Sequence, residues 1–129
     1  MGGWLDGWPS SVMQPYERFD AWGACHAMAI AVYRTSSRWP GCELYGLTAQ
    51  ARRAAVSAAA NIAEGSARQG SKEFRRFLSF TLGSLAELSY ILKLARDLDI
   101  LPAEEWVELD RLRDRAGKLT WGLFRRLQS

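Results

Sequence analysis

Six cations, Arg52, Arg53, Arg68, Lys72, Arg75 and Arg76, fall between Thr48 and Arg76, where only two carboxylates, Glu64 and Glu73, oppose them. Cations gathered in this way can neutralise phosphates, giving RNA or DNA binding that weakens as salt rises. They can equally pair with carboxylates across a subunit contact: Glu64, Glu73 or the acidic run that follows. That run holds six acidic residues and no basic one between Asp97 and Asp110, and from Arg111 onward six basic residues face one acidic. Blocks of opposite sign suit charge-matched self-assembly, an acidic partner, or solvated helix faces.

Other chemistry is sparse. His26 is the lone histidine. A carboxylate-bridged di-iron bundle needs Glu-x-x-His pairs on two helices, and a Ser-His-acid site needs a nucleophile motif that is missing. His26 therefore reads as a satisfied helical residue. Glu104, Glu105, Glu108 and Asp110 have the composition of a metal cluster, but they sit at a helix start, where the dipole favours carboxylates. Cys25 and Cys42 match no metal-ligand spacing, and free thiols are expected. Arg53, Ser57, Asn61 and Glu64 recur on one helical stripe. They suit a hydrogen-bonded network that fixes helix register, with a small-ligand site as the alternative. No enzymatic activity, cofactor or metal is expected.

The elements that must position these residues follow from periodicity. The 129 residues, 48% hydrophobic and 24% charged, suit one globular domain. No run approaches ~18 consecutive apolar residues, so no membrane span is expected. No basic segment followed by an apolar run marks a leader, so a cytoplasmic protein is expected. Residues 1–16, with Trp4 and Trp8, read as an irregular tail, and residues 17–129 as the folded domain. Helix one spans Asp20 to Ser36, with Asp20 as its cap. Helix two runs from Thr48 to Gly65, taken as a C-terminal glycine. Helix three runs from a Ser71 cap to about Leu98, and helix four begins at Pro102 and keeps its period to Leu127. Strand signals are absent. The expected fold is an all-α, up-down antiparallel four-helix bundle. Helix three carries its core stripe and, in Phe80, Ser84, Ile91 and Leu94, a second apolar side. One bundle core needs one stripe, so this side is the candidate subunit interface.

Leu44-Tyr45-Gly46-Leu47-Thr48, Gln50, Arg52 to Ser57, Asn61-Ile62-Ala63-Glu64-Gly65, Ser71 to Phe74, Arg76-Phe77-Leu78 and Leu82-Gly83-Ser84 form one long multi-part pattern. Through it the chain, from about Phe19 to Leu127, resembles the four-helix-bundle family of 23S rRNA intervening-sequence proteins. The resemblance implies a bundle that assembles into a homo-oligomeric ring of five subunits, with no assigned biochemical role. A related group is similar to accessory proteins of diversity-generating retroelements, which implies nucleic acid as a second partner besides the chain itself. Ala58-Ala59-Ala60 replaces a segment that often holds a proline in the family, which implies a straighter second helix.

Overall fold

The computed structural model describes residues 14–127. Four helices build it: α1 (Asp20–Ser36), α2 (Leu47–Ser66), α3 (Ser71–Asp97) and α4 (Ala103–Arg126). One-turn 3-10 segments, Pro15–Arg18 and Gly41–Glu43, precede α1 and α2. No strand occurs among the described residues. Each helix packs on its two neighbours in the order α1, α2, α3, α4 and back to α1. This is the up-down antiparallel bundle expected of four amphipathic segments joined by short connections. Residues 1–13, including Trp4 and Trp8, lie outside the described residues. The end of the tail is regular: Pro15–Arg18 forms its turn, and Tyr16 meets Trp22 edge-on at 4.8 Å.

The core takes most of its volume from α1, α3 and α4 and its closeness from α2, whose one large buried side chain is Ile62. Met28, Leu78, Leu88, Leu92 and Leu109 are fully buried. Opposite them α2 presents Ala51, Ala54, Ala55, Ala58 and Ala59, whose methyls let its backbone lie close to both neighbours. Thr81 ties α3 to α2, donating its hydroxyl to the Ala58 carbonyl at 2.8 Å. α3 is also long and apolar enough, by length and composition, to pass for a membrane span. Its stripe from Phe74 to Ala95 buries nine residues inside the bundle.

Several helix termini shift by one residue, and with them the roles of the terminal residues. Asp20 and Ser71 are first helical residues, with Phe19 and Gly70 at the preceding cap positions, and Pro102 occupies the cap position of α4. Gly65 is no C-terminal glycine: α2 continues to Ser66, and Gly65 is buried against α3. A Cβ there would lie 2.7 Å from Phe77 Cβ, so Gly65 serves close helix approach. The turn glycine is Gly70, at φ 88°. α2 starts at Leu47, whose N–H donates to the Glu43 carboxylate at 3.1 Å. That carboxylate does the capping that α2 lacks within its own first turn.

Candidate functional site

The six cations of the sequence do not form one cluster. Arg52 and Arg53 sit near the start of α2, and Arg68, Lys72, Arg75 and Arg76 flank the α2–α3 turn. A helical rise of 1.5 Å per residue puts Arg52 about 24 Å from Arg68. Arg52 is committed locally, donating through Nε to the Ser36 hydroxyl at 2.9 Å and lying 4.6 Å over the Tyr33 ring. It fastens α2 to the end of α1. Arg68 pairs with Glu64 at 2.7 Å and Arg76 with Glu73 at 3.3 Å, and both lie over Phe77. Lys72 and Arg75 have no carboxylate partner among the described residues.

Antiparallel topology adds cations that sequence order hides. The start of α1, the α2–α3 turn and the end of α4 share one end of the bundle. Arg18, Arg125 and Arg126 therefore join Lys72 and Arg75 there. None of these five makes an ion pair among the described residues. A cavity of about 220 Å³ opens at this end, lined by Arg18, Asp20, Lys118 and Arg126. Lys118 is occupied: it contacts Asp114 at 2.9 Å and, by that hydrogen bond, holds the carboxyl below its usual range. The opposite end, at the α1–α2 connection and the α3–α4 turn, sets Arg34, Arg38, Arg52 and Arg96 among Glu43, Asp97, Asp99, Glu104 and Glu105. Arg38–Glu105 (2.7 Å) and Arg96–Asp97 (3.0 Å) pair there. Uncompensated positive charge thus gathers at the α2–α3 end.

The proposed polar stripe divides. Asn61 Nδ2 donates to the Ser57 carbonyl (2.9 Å) and hydroxyl (3.1 Å), and Ser84 of α3 donates to the same hydroxyl at 3.0 Å. This half-buried triplet ties α2 to α3. Arg53 points to solvent outside it, and Glu64 turns to Arg68.

The apolar surface lies elsewhere than helix three alone would place it. Ile91 is corrected: it is 2% exposed and packs inside its own protomer, because α2 is so thin that α3 sinks toward it. Ser84 is held by Ser57, and Leu94 is half-buried, which leaves Phe80 exposed at 43%. Ten large apolar side chains stand exposed among the described residues, and five of them, Ile30, Tyr33, Leu44, Tyr45 and Val56, share the α1–α2 flank. Tyr33, Leu44, Tyr45 and Val56 line an open groove of about 590 Å³ with Arg52 and Arg53. A second groove of about 390 Å³ continues it through Ile30, His26 and Arg34. Tyr45 is 92% exposed. Leu44-Tyr45, an apolar pair inside a turn, was the sequence signal for this flank. Its helical members were hidden among alanines.

No group of three or more His, Cys, Asp or Glu side chains placed to hold a metal occurs among the described residues. His26 stacks on Trp22 at 4.8 Å. Cys42 is exposed and free, and Cys25 is buried and free. Burial pushes the Cys25 thiol up to about 11, against a weaker opposing effect of the neighbouring Thr120 hydroxyl.

The described residues thus form an all-helical bundle with one basic end and one apolar flank. The family model described as 23S rRNA-intervening sequence protein matches residues 17–122. The chain belongs to that family. No curated protein matches it.

Proposed function

We propose that the protein is a non-enzymatic assembly module: a homo-oligomer, best described as a five-membered ring, held together through the α1–α2 flank. The observation that carries this reading is the concentration of five exposed large apolar residues on that flank. Contiguous apolar patches of this kind mark interaction surfaces. Arg34, Arg52 and Arg53 border it. A two-fold contact of the flank with itself would therefore oppose like charges, which costs affinity. A head-to-tail contact avoids this. The α3 side carrying Phe80, Leu94 and Glu87 offers apolar surface and a carboxylate with no ion pair among the described residues. Neighbouring flanks of a square bundle lie about 90° apart, which favours a closed ring over a filament, and five copies is the number the family resemblance implies. Light scattering tests this reading. Five copies of a 14.5 kDa chain give about 72 kDa. Tyr45→Glu should reduce the assembly to monomer, and a wild-type monomer at micromolar concentration would refute it.

A second reading has its own observation, the five unpaired cations at the α2–α3 end. We propose that this end binds a nucleic-acid polyanion by neutralising phosphates. Binding that weakens steeply from low to physiological salt is expected, and no binding at low salt would dismiss it.

A further inference from the structure

An arginine of α3 lies over an aromatic ring of α4 at each end of their shared groove, and the two contacts differ. At the acidic end, Arg96 lies 4.3 Å over Trp106, is paired with Asp97, and covers a half-buried indole. At the basic end, Arg75 lies 4.3 Å over Phe124 with no carboxylate within pairing distance among the described residues. Phe124 in turn stacks against Trp121, with centroids 5.4 Å apart and planes 14° from parallel. Half of the Trp121 surface is open to solvent. Arg125 is four residues beyond Trp121, so the two side chains are neighbours on one face of α4. Lys72 precedes Arg75 by three residues on α3, with the same consequence. A half-exposed indole, backed by a second ring and an arginine, thus stands beside Arg125, with Lys72 farther along α3 toward the same end.

We infer that this α3–α4 corner is a nucleobase platform, on which Trp121 stacks an unpaired base of single-stranded RNA or DNA while Lys72 and Arg125 hold the flanking phosphates. The inference rests on the second reading above and narrows it. Phosphate neutralisation alone does not separate single strands from duplexes. A free aromatic face does, because bases in a duplex are already stacked on one another and only an unpaired base has a face to offer. The platform is sequence-tolerant, since every base has such a face. Trp121 as the centre of a contact between two identical basic ends would set Lys72, Arg75 and Arg125 against their own copies, so the cations favour a polyanion.

The test uses the full chain and two labelled probes, an unstructured oligothymidylate of about 20 nucleotides and a blunt duplex of the same length, followed by fluorescence anisotropy across salt. The wild type should bind the single strand more tightly. Trp121→Ala should weaken single-strand binding by about tenfold and leave duplex binding and the salt slope unchanged. Trp121→Phe, which keeps a stacking ring, should recover most of the loss. Lys72→Glu with Arg125→Glu should weaken both probes and flatten the salt slope by about two. Trp121→Ala binding the single strand within twofold of wild type would overturn the platform while leaving the polyanion reading intact. No binding of either probe at about 50 mM salt would overturn both. A fall in solution mass on Trp121→Ala would place the indole in a subunit contact and overturn the platform too.

Discussion

Gly65→Ala probes the contact that sets the α2–α3 spacing. The added Cβ would sit 2.7 Å from Phe77 Cβ, 3.0 Å from Phe74 Cδ1 and 3.4 Å from the Phe74 carbonyl oxygen. Ordinary carbon contacts lie at about 3.5–4.0 Å, so the helices must part by about 0.8 Å at this point. No rotamer change relieves the strain, because Phe77 Cβ is fixed to the α3 backbone. Phe74 has little room either, since Phe19 meets its ring edge-on at 5.3 Å. Overpacking of this size costs about 1–3 kcal/mol, and alanine's better helix propensity returns about 1 kcal/mol. The net loss is about 0–2 kcal/mol, or up to roughly 8 °C in Tm for a chain of this size. Gly23→Ala is the matched control: nothing lies within 4 Å of its built Cβ. It should leave Tm unchanged or raise it by a few degrees. Thermal melts followed by circular dichroism read both. A Gly65→Ala protein as stable as the Gly23→Ala control would refute the reasoning, because the close approach would then have slack.

Thr81→Val keeps shape and removes the hydroxyl that donates to the Ala58 carbonyl; urea titration should show a loss of about 1 kcal/mol. Cys42 should react with a thiol reagent in the native protein and Cys25 only on unfolding, as peptide mapping after alkylation would show. Burial raises the folded Cys25 thiol to about 11 from 9.0. Its stabilising effect is therefore complete below about pH 9 and is lost as pH rises from there through about 11. Wild type should lose about 2–3 kcal/mol more than Cys25→Ala over that interval, read from urea midpoints. Parallel pH dependences for the two proteins would contradict this.

The fold was legible because α3 and α4 carry strong apolar periodicity and the connections are short. The alanine-rich α1 and α2 carry less, and most of the misreadings trace to α2. Its alanines told of close packing, but they concealed how deeply α3 would sink and so placed Ile91 outside. They also concealed that Tyr33 and Val56 would meet Leu44 and Tyr45 across a groove. The basic residues were legible as types but not as a place. Counting along the chain joined Arg52 and Arg53 to Arg68, which one helix length separates. The same counting left Arg125 and Arg126 apart from Lys72, which the antiparallel turn brings back to the same end. Residue roles that depend on a partner from another helix, such as Gly65 against Phe77 or Ser57 beneath Ser84, leave no periodic trace.

Native mass spectrometry of two variants mixed in equal amounts tests the head-to-tail assembly most directly. Tyr45→Glu spoils the α1–α2 flank and Phe80→Glu the α3 side, so each alone should be monomeric, and the mixture should give a dimer holding one chain of each kind. A Phe80→Glu protein that still assembles like wild type, or a mixture that stays monomeric while wild type forms rings, would contradict the proposed pairing of faces.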